Sequence, residues 1–78
     1  MASAADRGAE LIRFIAKGLV SEPDSINVVV ADDGTLELEA DADDRGRVIG
    51  RQGRVAKAMR AVLARTPGCS DLQLEIVD

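Results

Sequence analysis

The residues best suited to chemistry in this 78-residue chain are two glycines and the arginines around them. Gly50-Arg51-Gln52-Gly53 forms a G-x-x-G motif, and Arg54 follows it directly. Glycine adopts unusual dihedral angles and has no Cβ atom to keep another backbone at a distance. Where such a turn precedes a helix, the unpaired amide groups of the first helical turn attract an anion. The motif therefore predicts a phosphate-binding site.

Positive charge is concentrated around this motif. Between positions 45 and 65 there are seven of the ten Lys and Arg residues and no acid, so this window carries +7 although the chain as a whole carries −4. The seven cations are Arg45, Arg47, Arg51, Arg54, Lys57, Arg60 and Arg65. Phosphate responds to the field within a Debye length of ~8 Å, so this local charge favours a polyanionic partner. The alternative is a solvated basic helix that only offsets acidic neighbours.

The composition excludes most catalytic chemistry. The chain has no His, Trp or Tyr and a single cysteine, Cys69, so it has neither a Cys/His nor a Ser/His nucleophile and no zinc site built from several such ligands. Asp43 and Asp44 are interpreted as charges at a helix start on a solvent face rather than as metal ligands. No P-loop motif is present, and the glycines do not follow a strand as in a dinucleotide-binding fold. We therefore expect a protein without catalysis, cofactor or metal.

The elements ahead of the motif follow from hydrophobic periodicity. Residues 4–20 place apolar side chains at helical spacing, with Phe14 as the expected packing anchor, and Pro23 ends this helix. Residues 26–31 form a β-branched strand, and residues 35–40 alternate between apolar and polar side chains. Between them Asp32-Asp33-Gly34 predicts a tight hairpin.

The elements around and after the motif are two short helices and a strand. Asp41 is the expected N-cap of a helix that ends at Ile49, and a second helix runs from Arg54 to the Thr66-Pro67-Gly68 sequence, with Met59 in its apolar stripe. Residues 72–76 alternate as a half-buried strand. Cys69 is expected to be a small buried filler, and Met59 either a core residue or part of a partner surface.

This order, α-β-β-α-α-β, predicts an α+β domain of two layers. A right-handed crossover returns the last strand parallel to the second, which gives a three-stranded mixed sheet with helices on one face. We expect a single domain over 1–78, with a core at about 25–77 preceded by the helix at 4–20. Nucleotide bases would enter an apolar groove between the helix that ends at Ile49 and the strand at 36–40.

The motif and the element order also resemble a known family. Val48-Ile49-Gly50-Arg51-Gln52-Gly53-Arg54 resembles the signature of the KH domain, whose G-x-x-G loop clamps about four nucleotides, and the element order is similar to type II KH domains. The whole chain resembles the small bacterial single-KH proteins of the KhpA family. The resemblance implies that Gly50 and Gly53 are the loop glycines and Arg51 and Gln52 the variable pair. The expected RNA-binding residues are Val48, Ile49, Gly50, Arg51, Gln52, Gly53, Arg54, Val55 and Lys57.

The resemblance also implies partners and a compartment. It implies single-stranded RNA as the ligand, and a homodimer or a heterodimer with a larger KH-containing protein of the KhpB type. It implies an RNA chaperone or post-transcriptional regulator linked to cell elongation and division. The lone cysteine fits a reducing cytoplasm, and no apolar run approaches the ~18 residues that span a membrane. Two alternatives stay open: a dimerisation module whose RNA binding is weak or secondary, and a binder of single-stranded DNA.

Overall fold

The order of elements in the protein is the one that the periodicity predicts. The computed structural model describes residues 3–77. Three helices and three strands follow one another as α1 (Ala4–Lys17), β1 (Asn27–Val30), β2 (Leu36–Glu39), α2 (Ala42–Ile49), α3 (Arg54–Arg65) and β3 (Leu74–Val77). Short 3-10 turns at Pro23–Ser25 and Arg51–Gly53 precede β1 and α3. The α+β fold class is confirmed.

The three strands form one mixed sheet in the order β1-β2-β3. β1 pairs antiparallel with β2, and β2 pairs parallel with β3, so the α2–α3 connection is the predicted crossover. Leu36, Leu38 and Leu74 are buried towards the helices, whereas Glu37 and Glu75 lie on the opposite face. This alternation is what a sheet covered on one face requires.

The hairpin between β1 and β2 is also confirmed. Gly34 adopts a φ of +88°, which favours glycine, and its amide donates to the carbonyl of Ala31. The amide of Ala31 donates to the carbonyl of Thr35 at 2.8 Å and continues the antiparallel ladder. These two bonds fix the register that carries Leu36 and Leu38 into the core.

Helix α1 departs from the sequence expectation in its length and in the role of its aromatic residue. Phe14 was expected to anchor the packing, but the structure leaves it 78% exposed, so that prediction is wrong. Ile12 and Ala16 are fully buried, and a residue midway between them lies about 200° around the helix and faces away. The helix ends at Lys17, three residues earlier than expected, where the Gly18 amide donates to the carbonyl of Ile15.

The chain after α3 turns before it enters the sheet. The amide of Cys69 donates to Thr66, and the amide of Leu72 donates to Cys69, so β3 begins at Leu74 rather than at residue 72. Cys69 is fully buried and its thiol lies 3.5 Å from the carbonyl oxygen of Ala4, which confirms it as a core filler. Met59 is 1% exposed and belongs to the same core.

None of the helices within residues 3–77 has the length and apolar character needed to cross a lipid bilayer.

Candidate nucleic-acid interface

A buried carboxylate fixes the helix that leads into the glycine loop. Asp44, in the first turn of α2, is fully buried and accepts hydrogen bonds from the Ser21 amide and hydroxyl and from the Glu22 amide. It also forms an ion pair with Arg47. These bonds join the first turn of α2 to the segment that follows α1, so they fix the position of the helix that leads into the loop.

The sequence did not reveal this role. Asp44 was interpreted as a solvent-facing charge at a helix start, and the structure corrects that interpretation because its side chain is enclosed and multiply hydrogen-bonded. Asp41 does precede α2 as its N-cap residue, but its side chain makes no capping bond. Asp44 is buried because it bonds to Ser21 and Glu22. A contact between residues 23 positions apart leaves no periodic signal in the sequence, so the burial could not be predicted.

The hydrogen bonds to Asp44 predict a pH-dependent stability. They lower the pKa of Asp44 below its ordinary value of 3.8, with the Ser21 amide as the largest cause. Stability is therefore greatest above this value and is lost as the pH falls below it, because the unfolded chain takes up the proton first. We expect Asp44→Asn to lower the Tm by roughly 5–10 °C at pH 6, and the gap to wild type to narrow by pH 3.

Thermal melts followed by circular dichroism from pH 6 to pH 3 measure this difference. Asp43→Asn is the matched control, since Asp43 is the exposed neighbour in the same helical turn. The pKa of Asp33 is also lowered, by its bond to the Thr35 amide, but that contribution is common to all three proteins. Equal pH profiles for wild type and Asp44→Asn would contradict the role given to Asp44.

The loop between α2 and α3 has a backbone that glycine makes accessible. Gly50 and Gly53 have φ angles of +78° and +74°, and Gln52 between them also lies in the left-handed region at φ 58° and ψ 24°. The Gly50 amide donates to the Gly46 carbonyl and closes α2, and the Gly53 amide donates to the Gly50 carbonyl. The loop is thus a hydrogen-bonded 3-10 turn with a defined shape.

The two loop glycines are required for different reasons. A Cβ atom on Gly50 would lie 2.5–2.9 Å from atoms of Val55, including its backbone nitrogen, so glycine lets α3 approach the loop closely. A Cβ atom on Gly53 would meet nothing within 4 Å. The side of the loop at Gly53 is therefore open, and it is the side on which another backbone has room to approach.

The start of α3 has fewer free amide donors than the sequence predicts. We expected unpaired amides there, but the Gly53 amide donates to Gly50 and the Arg54 amide to Arg51, so two of these donors are occupied by the loop itself. Because the N-cap residue Gly53 has no side chain, none caps the helix. The positive end of the α3 dipole still faces the loop.

Three cations of the basic window lie in the loop or in the first turn of α3, and two others are engaged by the protein itself. Arg51, Arg54 and Lys57 are exposed, and Arg54 donates to the side-chain oxygen of Gln52 at 3.1 Å. Of the remaining cations, Arg47 is paired with Asp44, and Arg60 donates twice to the carbonyl of Leu74. Arg51, Arg54 and Lys57 are thus the exposed cations of the window that lie in or next to the loop.

The apolar residues around the loop separate into core and surface. Val48 is fully buried and supports α2 from inside, Ile49 is 37% exposed, and Val55 is half-buried against the core. Of these three, Ile49 offers the most surface to a ligand. Val48, although predicted in the RNA-binding set, has no exposed surface with which to touch one.

The apolar groove beside the loop lies in a different place from the one that the sequence predicts. Leu36 and Leu38 of β2 are fully buried, so their side chains offer no apolar surface to bases beside the helix ending at Ile49. A groove of about 330 Å³ lies instead between α1 and α3. It is lined by Ile15, Leu19, Arg54, Val55, Ala58, Met59 and Val62. The groove begins at the loop, since Arg54 and Val55 follow Gly53 directly.

The fold and this loop together define the class of the protein. A three-stranded mixed sheet is covered on one face by helices, and a G-x-x-G turn joins two of them. This combination defines a KH domain, here with the α-β-β-α-α-β order of type II. The model of the KhpA/KhpB KH-domain family matches residues 9–67.

Relatives named RNA-binding protein KhpA match along most of the chain. That of Halalkalibacterium halodurans is 44% identical over 87% of this chain and 96% of its own length. Those of Borreliella burgdorferi and Leifsonia xyli are 42% and 34% identical, over 88% and 90% of this chain and 90% and 96% of their own. No solved structure matches significantly. The chain belongs to the KhpA/KhpB family.

Proposed function

We propose that the chain is a non-catalytic RNA-binding protein that holds the backbone of single-stranded RNA on the Gly50–Gly53 loop. The observation that carries the proposal is the open side of the loop at Gly53, with no atom within 4 Å of an added Cβ, beside the exposed Arg51, Arg54 and Lys57. The RNA-binding names of the relatives support the same ligand. Phosphates approach along this side, where the α3 dipole and the three cations attract them.

Aliphatic contacts carry the recognition of the bases. The single aromatic residue, Phe14, lies on α1 and outside the loop, so stacking does not contribute the ~1–3 kcal/mol per base of aromatic platforms. Ile49 and the loop end of the α1–α3 groove supply the nearest exposed apolar surface. This favours weak binding with little base preference, in which phosphate attraction provides most of the affinity.

The salt dependence of binding tests this balance. With three cations neutralising phosphates, the slope of log K against log salt is about −2, so affinity for a short single-stranded RNA falls roughly 20-fold from 50 to 200 mM salt. Fluorescence polarisation with a labelled oligonucleotide at both concentrations measures the change. Single-stranded DNA of the same sequence is the comparison, because a preference for RNA needs a contact to the 2′-hydroxyl. Absence of binding at 50 mM salt would contradict the proposal.

The family resemblance extends the proposal to cellular roles. A cytoplasmic RNA chaperone or post-transcriptional regulator, linked to cell elongation and division, is the role that it implies. Crosslinking of RNA to the protein in cells, followed by sequencing, identifies the targets on which such a role depends.

A second candidate function, dimerisation, is favoured by the exposed apolar groove. Val62 and Leu19 are each 42% exposed there, and Phe14 is 78% exposed on α1. A small domain gains stability when such surface is covered by a partner. We propose that a second copy, or a larger KH-containing protein of the KhpB type, covers this groove at its Val62 end and leaves the loop end to RNA, and that paired domains bind RNA more tightly through avidity.

A charge placed in the groove tests dimerisation. We expect Val62→Glu to raise the dissociation constant of the dimer at least tenfold, because the new carboxylate must be desolvated in the interface. Sedimentation velocity over a dilution series measures the shift. Ala64→Glu is the matched control, since it adds the same charge to an exposed position of α3 that does not line the groove. A wild-type chain that stays monomeric at every concentration would contradict the homodimer, and one that also fails to bind a KhpB-type protein would contradict this candidate as a whole.

A further inference from the structure

The outer edge of β1 carries backbone groups that have no hydrogen-bonding partner within residues 3–77. The Ala31–Thr35 hydrogen bond and the β1–β2 register place the backbone groups of Asn27 and Val29 towards β2. Successive residues of a strand alternate, so the amides and carbonyls of Val28 and Val30 point outwards. Within residues 3–77 these outward groups have no hydrogen-bonding partner. The strand Asn27-Val28-Val29-Val30 also contains no charge or proline that would protect an edge.

The opposite edge of the same sheet is partly capped. The Leu36 amide donates to the Gln73 carbonyl, which places the Leu74 carbonyl on the outer side of β3. Arg60 donates to that carbonyl through Nε at 3.2 Å and through a terminal nitrogen at 3.1 Å. An arginine therefore occupies one of the outward carbonyls of β3, whereas no side chain within residues 3–77 does so on β1. The edge at β3 is thus partly capped and the edge at β1 is not.

The charge around the β1 edge indicates which strand can pair with it. Residues 18–44 contain nine Asp and Glu residues and no Lys or Arg. Glu22 and Asp24 precede β1, and Asp32 and Asp33 follow it. Two copies joined through β1 would bring two such acidic segments together, which like-charge repulsion disfavours. A basic strand would instead be attracted to both ends of β1.

We propose that β1 binds an extended, lysine- or arginine-rich segment of a partner protein as an added fourth strand. Backbone hydrogen bonds to Val28 and Val30 give affinity, as in other cases of strand addition. The exposed side chains of Val29 and Val30, 39% and 38% accessible, contact apolar residues of the incoming strand. The flanking carboxylates select its basic residues. β1 and the glycine loop share no residue, so each site can be altered without changing the residues of the other.

Titration with a synthetic strand tests the proposal. The probe is a fluorescein-labelled heptapeptide of alternating lysine and valine, and two comparison peptides replace lysine by glutamate or methylate every backbone nitrogen. We expect the unmodified peptide to bind at least tenfold more tightly than either. Hydrogen exchange of the Val28 and Val30 amides in the wild-type protein should slow at least tenfold when the peptide is bound.

Two proline variants locate the binding edge. Val30→Pro removes an outward amide without removing a bond of the β1–β2 ladder, so the fold is retained and peptide affinity falls at least tenfold. Ile76→Pro makes the matched change on the outer edge of β3 and leaves affinity unchanged. Equal binding of the methylated peptide, unchanged exchange at Val28 and Val30, or no binding at all would overturn the proposal. Self-association that Val30→Pro abolishes would assign the edge to a second copy instead.

Discussion

RNA binding is expected to fall at least 100-fold when Arg51 and Gln52 are both replaced by aspartate. The pair lies exposed in the middle of the loop, where we propose that the RNA backbone is held. The double substitution removes a positive charge and adds two negative charges beside the phosphates. Because the bare aliphatic surface nearby contributes little affinity, repulsion of the backbone leaves no other strong contact. Fluorescence polarisation with a short single-stranded RNA at 50 mM salt measures the loss.

The same substitution is expected to leave the fold intact. Gln52 has a φ of 58° and a ψ of 24°, and aspartate tolerates this left-handed region better than most residues. Both glycines stay in place, so the loop backbone keeps its shape. Circular dichroism and the Tm should therefore match wild type. RNA affinity that survives the swap in a folded protein would show that the loop is not the binding site.

A matched control separates local charge from total charge. Arg65→Asp combined with Ser70→Asp makes the same change in net charge at two exposed positions. Arg65 ends α3, about 16 Å along the helix axis from Arg54. This distance exceeds the Debye length of about 8 Å, so RNA affinity should change by less than about threefold. An equal loss in both double variants would indicate that only the total charge matters.

The parts of the fold that sequence could predict are those encoded locally. Gly34 after two aspartates determines the hairpin, and the alternation of Leu36 and Leu38 determines which face of β2 is buried. The loop glycines could be recognised because a left-handed backbone and the close approach of another segment both require glycine at these positions. In each case the physical cause and the sequence signal lie in the same short segment.

What the sequence could not predict depends on contacts between distant segments. The burial of Asp44 depends on Ser21 and Glu22, which periodicity does not place beside it. The helical offset of Phe14 from Ile12 was enough to exclude it from the packed face of α1, but periodicity could not predict the groove that forms between α1 and α3. The burial of Asp44 and the position of the groove depend on how distant segments pack together. The sequence of one short helix does not determine which segment packs against it.

The largest stability change is expected for Gly50→Ala. The new Cβ atom would meet the Val55 backbone nitrogen at 2.7 Å and its side chain at 2.5 Å, in a backbone with a φ of +78°. Val55 packs against the core, so it has little freedom to move away. Steric overlap and dihedral strain together cost about 3 kcal/mol. Urea unfolding followed by circular dichroism measures this loss.

Gly53→Ala makes the same chemical change in open space and should affect a different property. Its φ of +74° costs about 1–2 kcal/mol in stability, but the methyl group meets no atom within 4 Å. That methyl group instead projects from the side of the loop where the phosphate backbone approaches. Gly53→Ala should therefore weaken RNA binding at least tenfold in a protein that stays folded. If the Gly53→Ala protein binds RNA as tightly as wild type, the RNA backbone does not lie on the open side of the loop.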